Sequence, residues 1–147
     1  MKIQINKILC PVDFSKPGEY AFDYACAVAK RHEASLELIH VAEASAYAED
    51  ELPTGRVSYE DSLKEQLEQM AEKAGCSAEI NLITGIPYIE IVKRAAELHA
   101  DMIVIGTHGR TGMKHLLIGS VAERVVRTAD CPVLTIRHPD HAIKSGM

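Results

Sequence analysis

Ala100-Asp101-Met102-Ile103-Val104-Ile105-Gly106-Thr107-His108-Gly109-Arg110 decides the fold, and the chain continues through Thr111-Gly112-Met113-Lys114-His115-Leu116-Leu117-Ile118 to Gly119-Ser120. Met102 to Ile105 is apolar without alternation, which predicts a central parallel strand covered on both faces. It gives way at once to glycines and polar side chains. Ser120-Val121-Ala122-Glu123 then has the spacing of a capping box, so a helix is predicted to begin at Ser120. A buried strand, a long glycine-rich loop and a helix form one βα unit.

The same alternation recurs outward from that unit. Ile8-Leu9-Cys10 and Val12 predict a first strand ending near Asp13. Ser15 is the expected N-cap of a helix with Ala21, Tyr24, Ala25, Val28 and Ala29 on its apolar stripe, running to about Arg31. Ser35 to Val41 is a second strand. The 42–57 connection carries Glu43, Glu49, Asp50, Glu51, Pro53 and Gly55; it exceeds the usual connection and is expected to be a flexible lid or partly helical. Leu63, Leu67, Met70 and Ala74 mark a second helix, with Gly75 where a C-terminal cap belongs. Glu60, Asp61, Glu65, Glu68 and Glu72, interleaved with Lys64 and Lys73, predict its wet face.

Ala78, Ile80 and Leu82 alternate with polar neighbours, as in a strand at a sheet edge. Gly85-Ile86-Pro87 turns into a third helix with Ile91, Val92, Ala95 and Leu98 inward. Val133, Leu134 and Ile136 make a closing strand, and a polar tail is expected over 138–147. Strands alternating with helices predict an α/β fold: an open, doubly wound, five-stranded parallel sheet with helices on both faces, in one domain spanning 1–147.

Composition narrows the function. Sixteen Lys and Arg against 21 Asp and Glu give a net charge of −5, with no Trp and only two Phe. A nucleic-acid groove wants a basic stripe and aromatic platforms, so no nucleic-acid partner is expected. No apolar run approaches a membrane span, and the N-terminus lacks the apolar core of a signal peptide. Cys10, Cys26, Cys76 and Cys131 show no paired spacing, so they read as reduced, buried thiols of a cytoplasmic chain.

Open α/β sheets bind ligands beyond the carboxyl ends of their strands, where strand order reverses. Two such ends are unusual. Pro11-Val12-Asp13-Phe14-Ser15 puts a carboxylate at the tip of the first strand, where Asp13 either caps the loop or faces a ligand. The second is the loop from Gly106 to Ser120. Its glycines let the backbone approach an anion, and the helix at its end adds free N–H groups and a partial positive charge. Arg110 and Lys114 stand in it with no Asp or Glu, a local positive charge inside an acidic chain. Lys114 precedes Leu116 rather than a hydroxyl residue, so the loop is not a Walker-type phosphate loop. Nor is it Gly-x-Gly-x-x-Gly. Its own pattern is Gly106-x2-Gly109-x9-Gly119-Ser120.

With Lys7-Ile8-Leu9-Cys10-Pro11-Val12-Asp13-Phe14-Ser15, Gly85-Ile86-Pro87, Ala100 through Arg110, and Gly119-Ser120 through Cys131-Pro132-Val133, the chain resembles the universal stress proteins over nearly its whole length. It is most similar to their nucleotide-binding subgroup, whose ATP-binding signature is the glycine pattern. The resemblance implies a Rossmann-like, HUP-type sheet of order 3-2-1-4-5. It implies that Pro11, Val12 and Asp13 line an adenosine pocket and that backbone groups of Val41 recognise adenine. Gly106 would approach the ribose beside Thr107, while Gly109, Gly119 and Ser120 would hold phosphates, with Arg110 and Val121 in the same loop and helix start. The ligand implied is ATP, or ADP or AMP, with Mg²⁺ held mainly through the phosphates. A homodimer through the edge strand Val133–Arg137 is implied as well, and covering such an edge is physically reasonable.

His108 and His115 flank the loop without an acid/base partner nearby in sequence, and His138-Pro139-Asp140-His141 sits on the tail, where solvation is expected. No nucleophile elbow or metal-binding motif is present. The expected function is therefore a cytosolic, ATP-binding stress-response module with at most weak hydrolysis. The alternatives are a slow ATPase or related nucleotide α-hydrolase, and a nucleotide-free dimeric interaction module.

Overall fold

A computed structural model describes the backbone of residues 1–43, 53–108 and 117–139, with side chains from residue 59 onward in the middle segment. Among the described residues five strands and four helices alternate: β1 (Lys7–Pro11), α1 (Lys16–His32), β2 (Ser35–Ala42), α2 (Pro53–Lys73), β3 (Glu79–Thr84), α3 (Pro87–Leu98), β4 (Met102–Gly106), α4 (Ser120–Thr128) and β5 (Val133–Ile136). All strand pairs are parallel, and their order is β3-β2-β1-β4-β5. The chain winds one way from β1 to β3 and the other way from β4 to β5. The reversal falls between β1 and β4.

The period-two geometry of strands splits the core in two. Ile8, Cys10, Leu36, Leu38 and Val104 face α1 and α2, meeting Phe22, Ala25 and Leu67. Leu9, Ile39, Val41, Ile103 and Ile105 face α3 and α4, meeting Ile91, Ala95 and Val125. Burial on both faces is why β1 and β4 read as short apolar runs and why β2 is apolar except at Glu37 and His40. β3, at the edge, is only half buried, as its alternation predicts.

At the amino ends of the strands, Asp101 ties β4 to β1. Its Oδ2 accepts the N–H groups of Asn6 (2.8 Å) and Lys7 (2.9 Å), and its own N–H donates to the Lys7 carbonyl (2.8 Å). Glu37, 5% exposed on β2, accepts both Arg94 Nε (2.8 Å) and Arg94 Nη2 (2.7 Å) from α3, with Asn81 Nδ2 at 3.2 Å. The pairing holds the Arg94 guanidinium even more firmly protonated than usual. These contacts brace the end of the sheet opposite the strand tips discussed below.

Several local expectations need correction. The inward residue of α1 is Phe22, fully buried, whereas Tyr24 is 44% exposed and stacks edge-on with Tyr20. In α2 the inward position is Ala71, not Ala74, which lies past the helix end in solvent. Helix α2 starts at Pro53, inside the 42–57 stretch expected to be a flexible lid or partly helical, so its last residues are helical, with proline in the first-turn position that tolerates its missing N–H. His138 packs its ring edge-on against Tyr20 at 5.2 Å, so the polar tail begins after it; 140–147, with Asp140 and His141, lie outside the described residues. Of the four thiols only Cys10 is fully buried; the other three are half-buried. Burial pushes Cys10, Cys26 and Cys131 toward the protonated form, Cys26 further through its contact with Cys76.

Candidate functional site

A cleft of about 420 Å³ opens at the reversal, between the carboxyl ends of β1 and β4. That volume is within the range of small-molecule sites. Pro11, Val12, Asp13 and Val41 line one side. Gly106, Thr107, Gly119, Ser120 and Val121 line the other. Gly109 and Arg110, the two remaining candidates, lie outside the described residues, as do Lys114 and His115.

The first wall is built by the turn that follows β1. Val12 makes the last ladder bond, its N–H donating to the Ile39 carbonyl at 2.9 Å, and the chain then leaves the sheet. Phe14 takes a left-handed conformation (φ 65°) that reverses the chain toward α1. Ser15 caps α1 by accepting the Gly18 N–H at 3.2 Å. Its own N–H donates to Asp13 Oδ1 at 3.1 Å, and its hydroxyl bonds the same oxygen. Asp13 thus both organises its turn and lines the cleft. Gly18 leaves room for it, because a Cβ there would stand 3.0 Å from Asp13 Oδ1, a tight contact that this carboxylate would have to yield to.

The second wall is the loop base and the start of α4. The Gly119 N–H donates to the Thr107 carbonyl, pinning together the two ends of the glycine-rich excursion. This bond fixes Gly119 as the N-cap, in extended conformation (φ −73°, ψ 164°), with its carbonyl accepting from Glu123 N–H at 2.9 Å. The capping box is therefore corrected. Ser120 is the first helical residue rather than the cap, no side chain caps α4, and Glu123 pairs with Arg127 at 2.9 Å. The N–H groups of Ser120, Val121 and Ala122 precede the first intrahelical bond, and all three residues line the cleft. An anion seated there meets unpaired helix N–H donors and the positive end of the helix dipole.

Gly106 has a structural reason of its own. A Cβ at this position would lie 3.0 Å from the Pro17 carbonyl oxygen, so glycine lets the start of α1 close over the tip of β4. Sequence reasoning missed Gly18, Glu43 and Tyr59, which also line the cleft. It missed His40 too, although a histidine within an apolar strand is a legible signal. His108 is 4% exposed, with Nδ1 3.0 Å from Thr107 Oγ1. Asp13 and Glu43 are the charged residues among the described lining, with no Lys or Arg beside them. No group of three His, Cys, Asp or Glu among the described residues could hold a metal ion.

The model of the universal stress protein family matches residues 4–137. The chain belongs to this family. It is 35% identical over 141 residues to Universal stress protein MJ0531 of Methanocaldococcus jannaschii, covering 91% of this chain and 83% of that one. The solved structure of hypothetical protein MJ0577 superposes with a TM-score of 0.78 at 30% identity, covering 94% of this chain and 99% of that one. The fold is shared as well by a universal stress protein solved in complex with cAMP (24% identity, TM-score 0.68, 91% and 98% covered). The Archaeoglobus fulgidus universal stress protein in complex with dAMP also has it (22% identity, TM-score 0.65, 92% and 99% covered). Among the described residues, no helix is long and apolar enough to cross a membrane.

Proposed function

We propose that the cleft binds an adenine nucleotide, ATP before ADP or AMP, and that this universal stress protein is a cytosolic stress-response module that switches on nucleotide occupancy and hydrolyses it slowly or not at all. The observation that carries the reading is the pinned loop base. The Thr107–Gly119 bond closes the loop base at the start of α4, and Ser120, Val121 and Ala122, whose N–H groups precede the first intrahelical bond, line the same cleft as the first-strand turn. In this reading Pro11, Val12, Asp13 and the Val41 backbone take the adenosine, and Gly106 and Thr107 lie along the ribose. Gly109, Arg110, Gly119, Ser120 and Val121 surround the phosphates. Mg²⁺ would arrive with the nucleotide, held mainly by the phosphates.

Support comes from the cAMP and dAMP complexes of relatives that share the fold. The phosphate would be handled by backbone donors in an acidic chain, which is compatible with a single nucleotide and unfavourable for a polyanion. We further propose a homodimer through Val133–Arg137. Calorimetry with ATP, ADP, AMP and adenosine, with and without Mg²⁺, tests the central reading. Saturable heat with ATP, weaker with adenosine, is expected. An isothermal trace with all four ligands, and no thermal shift, refutes it.

A further inference from the structure

We infer that His40 is a positioning residue for the cleft. It ends the β1·β2 ladder one bond early and so turns the Val41 N–H toward the ligand. The inference rests on the nucleotide reading for its ligand, but not for its geometry. β1 pairs with β2 in the register Pro11↔Ile39, and Val12 N–H donates to the Ile39 carbonyl. In a parallel ladder continued by one step, the Val12 carbonyl would accept from Val41 N–H. Here the Val12 carbonyl meets Nδ1 of His40 at 2.7 Å. A carbonyl carries no proton, so Nδ1 is the donor and the ring holds its hydrogen there.

The backbone parity of β2 gives this substitution its consequence. Ile39 presents its carbonyl to β1 and Ala42 presents its carbonyl to Gly85 on the β3 side. The backbone groups of Val41 therefore point the way those of Ile39 do, toward the space that β1 has just left. That space is the cleft, and Val41 lines it. His40 is 8% exposed and lies with its ring 4.5 Å from that of Phe14, the residue whose left-handed backbone turns the chain. One imidazole thus satisfies the Val12 carbonyl and braces the turn that carries Asp13.

The test compares His40→Leu, which has no donor, with His40→Asn, whose amide nitrogen can occupy the place of Nδ1. His40→Gln, whose nitrogen sits at the Nε2 position, serves as the loss variant should the leucine variant fail to fold. Each is titrated with ATP and with GTP, and the exchange rate of the Val41 amide is measured by NMR without ligand. In the loss variant the Val12 carbonyl should turn to Val41 N–H, slowing its exchange. ATP affinity should fall about tenfold, the size of one good hydrogen bond, and preference for ATP over GTP should narrow. His40→Asn should restore all three. A merely structural histidine would lower the melting temperature and leave base preference and Val41 exchange unchanged, which overturns the inference. If the wild type binds neither nucleotide while Val41 exchange still slows in the loss variant, the nucleotide reading falls and the ladder role stands.

Discussion

The sharpest test of the phosphate end is Ser120→Asp. Ser120 is the exposed first residue of α4, just after the Gly119 N-cap. A carboxylate there complements the helix dipole, adding about 0.3–1 kcal/mol to helix stability at low salt. The same charge would stand about 5–6 Å from a phosphate held by the N–H groups of Ser120, Val121 and Ala122. With an effective dielectric near 20, two unit charges at that separation repel by about 3 kcal/mol. Solvent and salt at this exposed position reduce the net effect to about 1–2 kcal/mol. The two effects have opposite signs, which makes the variant informative. Thermal unfolding should be unchanged or slightly raised. ATP affinity should fall about 5- to 30-fold at low salt, while adenosine, which lacks the phosphates, should bind as it does to wild type. Titration calorimetry at two salt concentrations measures both ligands, and the ATP deficit should shrink at the higher salt. Equal ATP affinity in variant and wild type would refute the seating of phosphate on α4. Equal losses for ATP and adenosine would point to a distorted cleft instead.

The proposed dimer makes a prediction at the β5 edge of the sheet. The Pro132 and Ile136 carbonyls bond to β4, so the backbone groups of Thr135 face the open side of β5. Thr135→Pro should therefore abolish a β5-mediated dimer in sedimentation velocity while preserving the melting profile of the monomer. A wild-type monomer at micromolar concentration refutes the interface. Glu37→Gln removes the buried carboxylate from Arg94, which keeps Glu97 at 3.3 Å, and should cost about 2 kcal/mol in urea unfolding, less than a fully buried pair because the Arg94 side chain is 28% exposed. Nucleotide affinity should not change, since this pair braces the other end of the sheet. Alkaline stability should reveal Cys10, whose thiol burial pushes far up. Its folded pKa exceeds the unfolded one, so its contribution is complete below about pH 8.5 and is lost above it, at about 1.4 kcal/mol per pH unit. Cys10→Ala should lessen that decline in denaturant melts taken from pH 8 to 10, leaving the part due to Cys26 and Cys131; an unchanged slope would place the alkaline loss elsewhere.

What the sequence made legible follows from the range of the forces involved. Strand and helix order could be read because burial on both faces demands largely apolar runs in β1, β2 and β4, and that demand is local. Helix faces were less certain. Phe22 and Tyr24 are both large and apolar enough for the α1 stripe, and only the position of the sheet assigns Phe22 to the core and Tyr24 to solvent. The turn after β1 and the loop leading into α4, unlike Val41, which came only from the family resemblance, could be chosen because strand tips and a helix start are local features too. Their physical reasons could not. Gly106 answers to the Pro17 carbonyl, far away in sequence, and the cap of α4 is set by Thr107 across the glycine-rich loop.

His40 marks the boundary between these two kinds of knowledge. A histidine among Leu36, Leu38, Ile39 and Val41 is anomalous by composition, so its presence could be noticed from sequence. Its partner is the Val12 carbonyl, a backbone atom with no sequence signature, reached only once β1 and β2 are in register. Backbone acceptors of this kind are what periodicity and motif cannot supply, because every residue has one. In the nucleotide reading proposed above, other backbone groups would meet the ligand as well: the Val41 N–H and the N–H donors at the start of α4. The composition of the site therefore understates its chemistry. Asp13 and Glu43 line the described part of the cleft with no Lys or Arg beside them, so in the proposed reading an anion would depend on the main-chain N–H groups at the start of α4, placed by the Thr107–Gly119 bond, rather than on a charged side chain among the described residues.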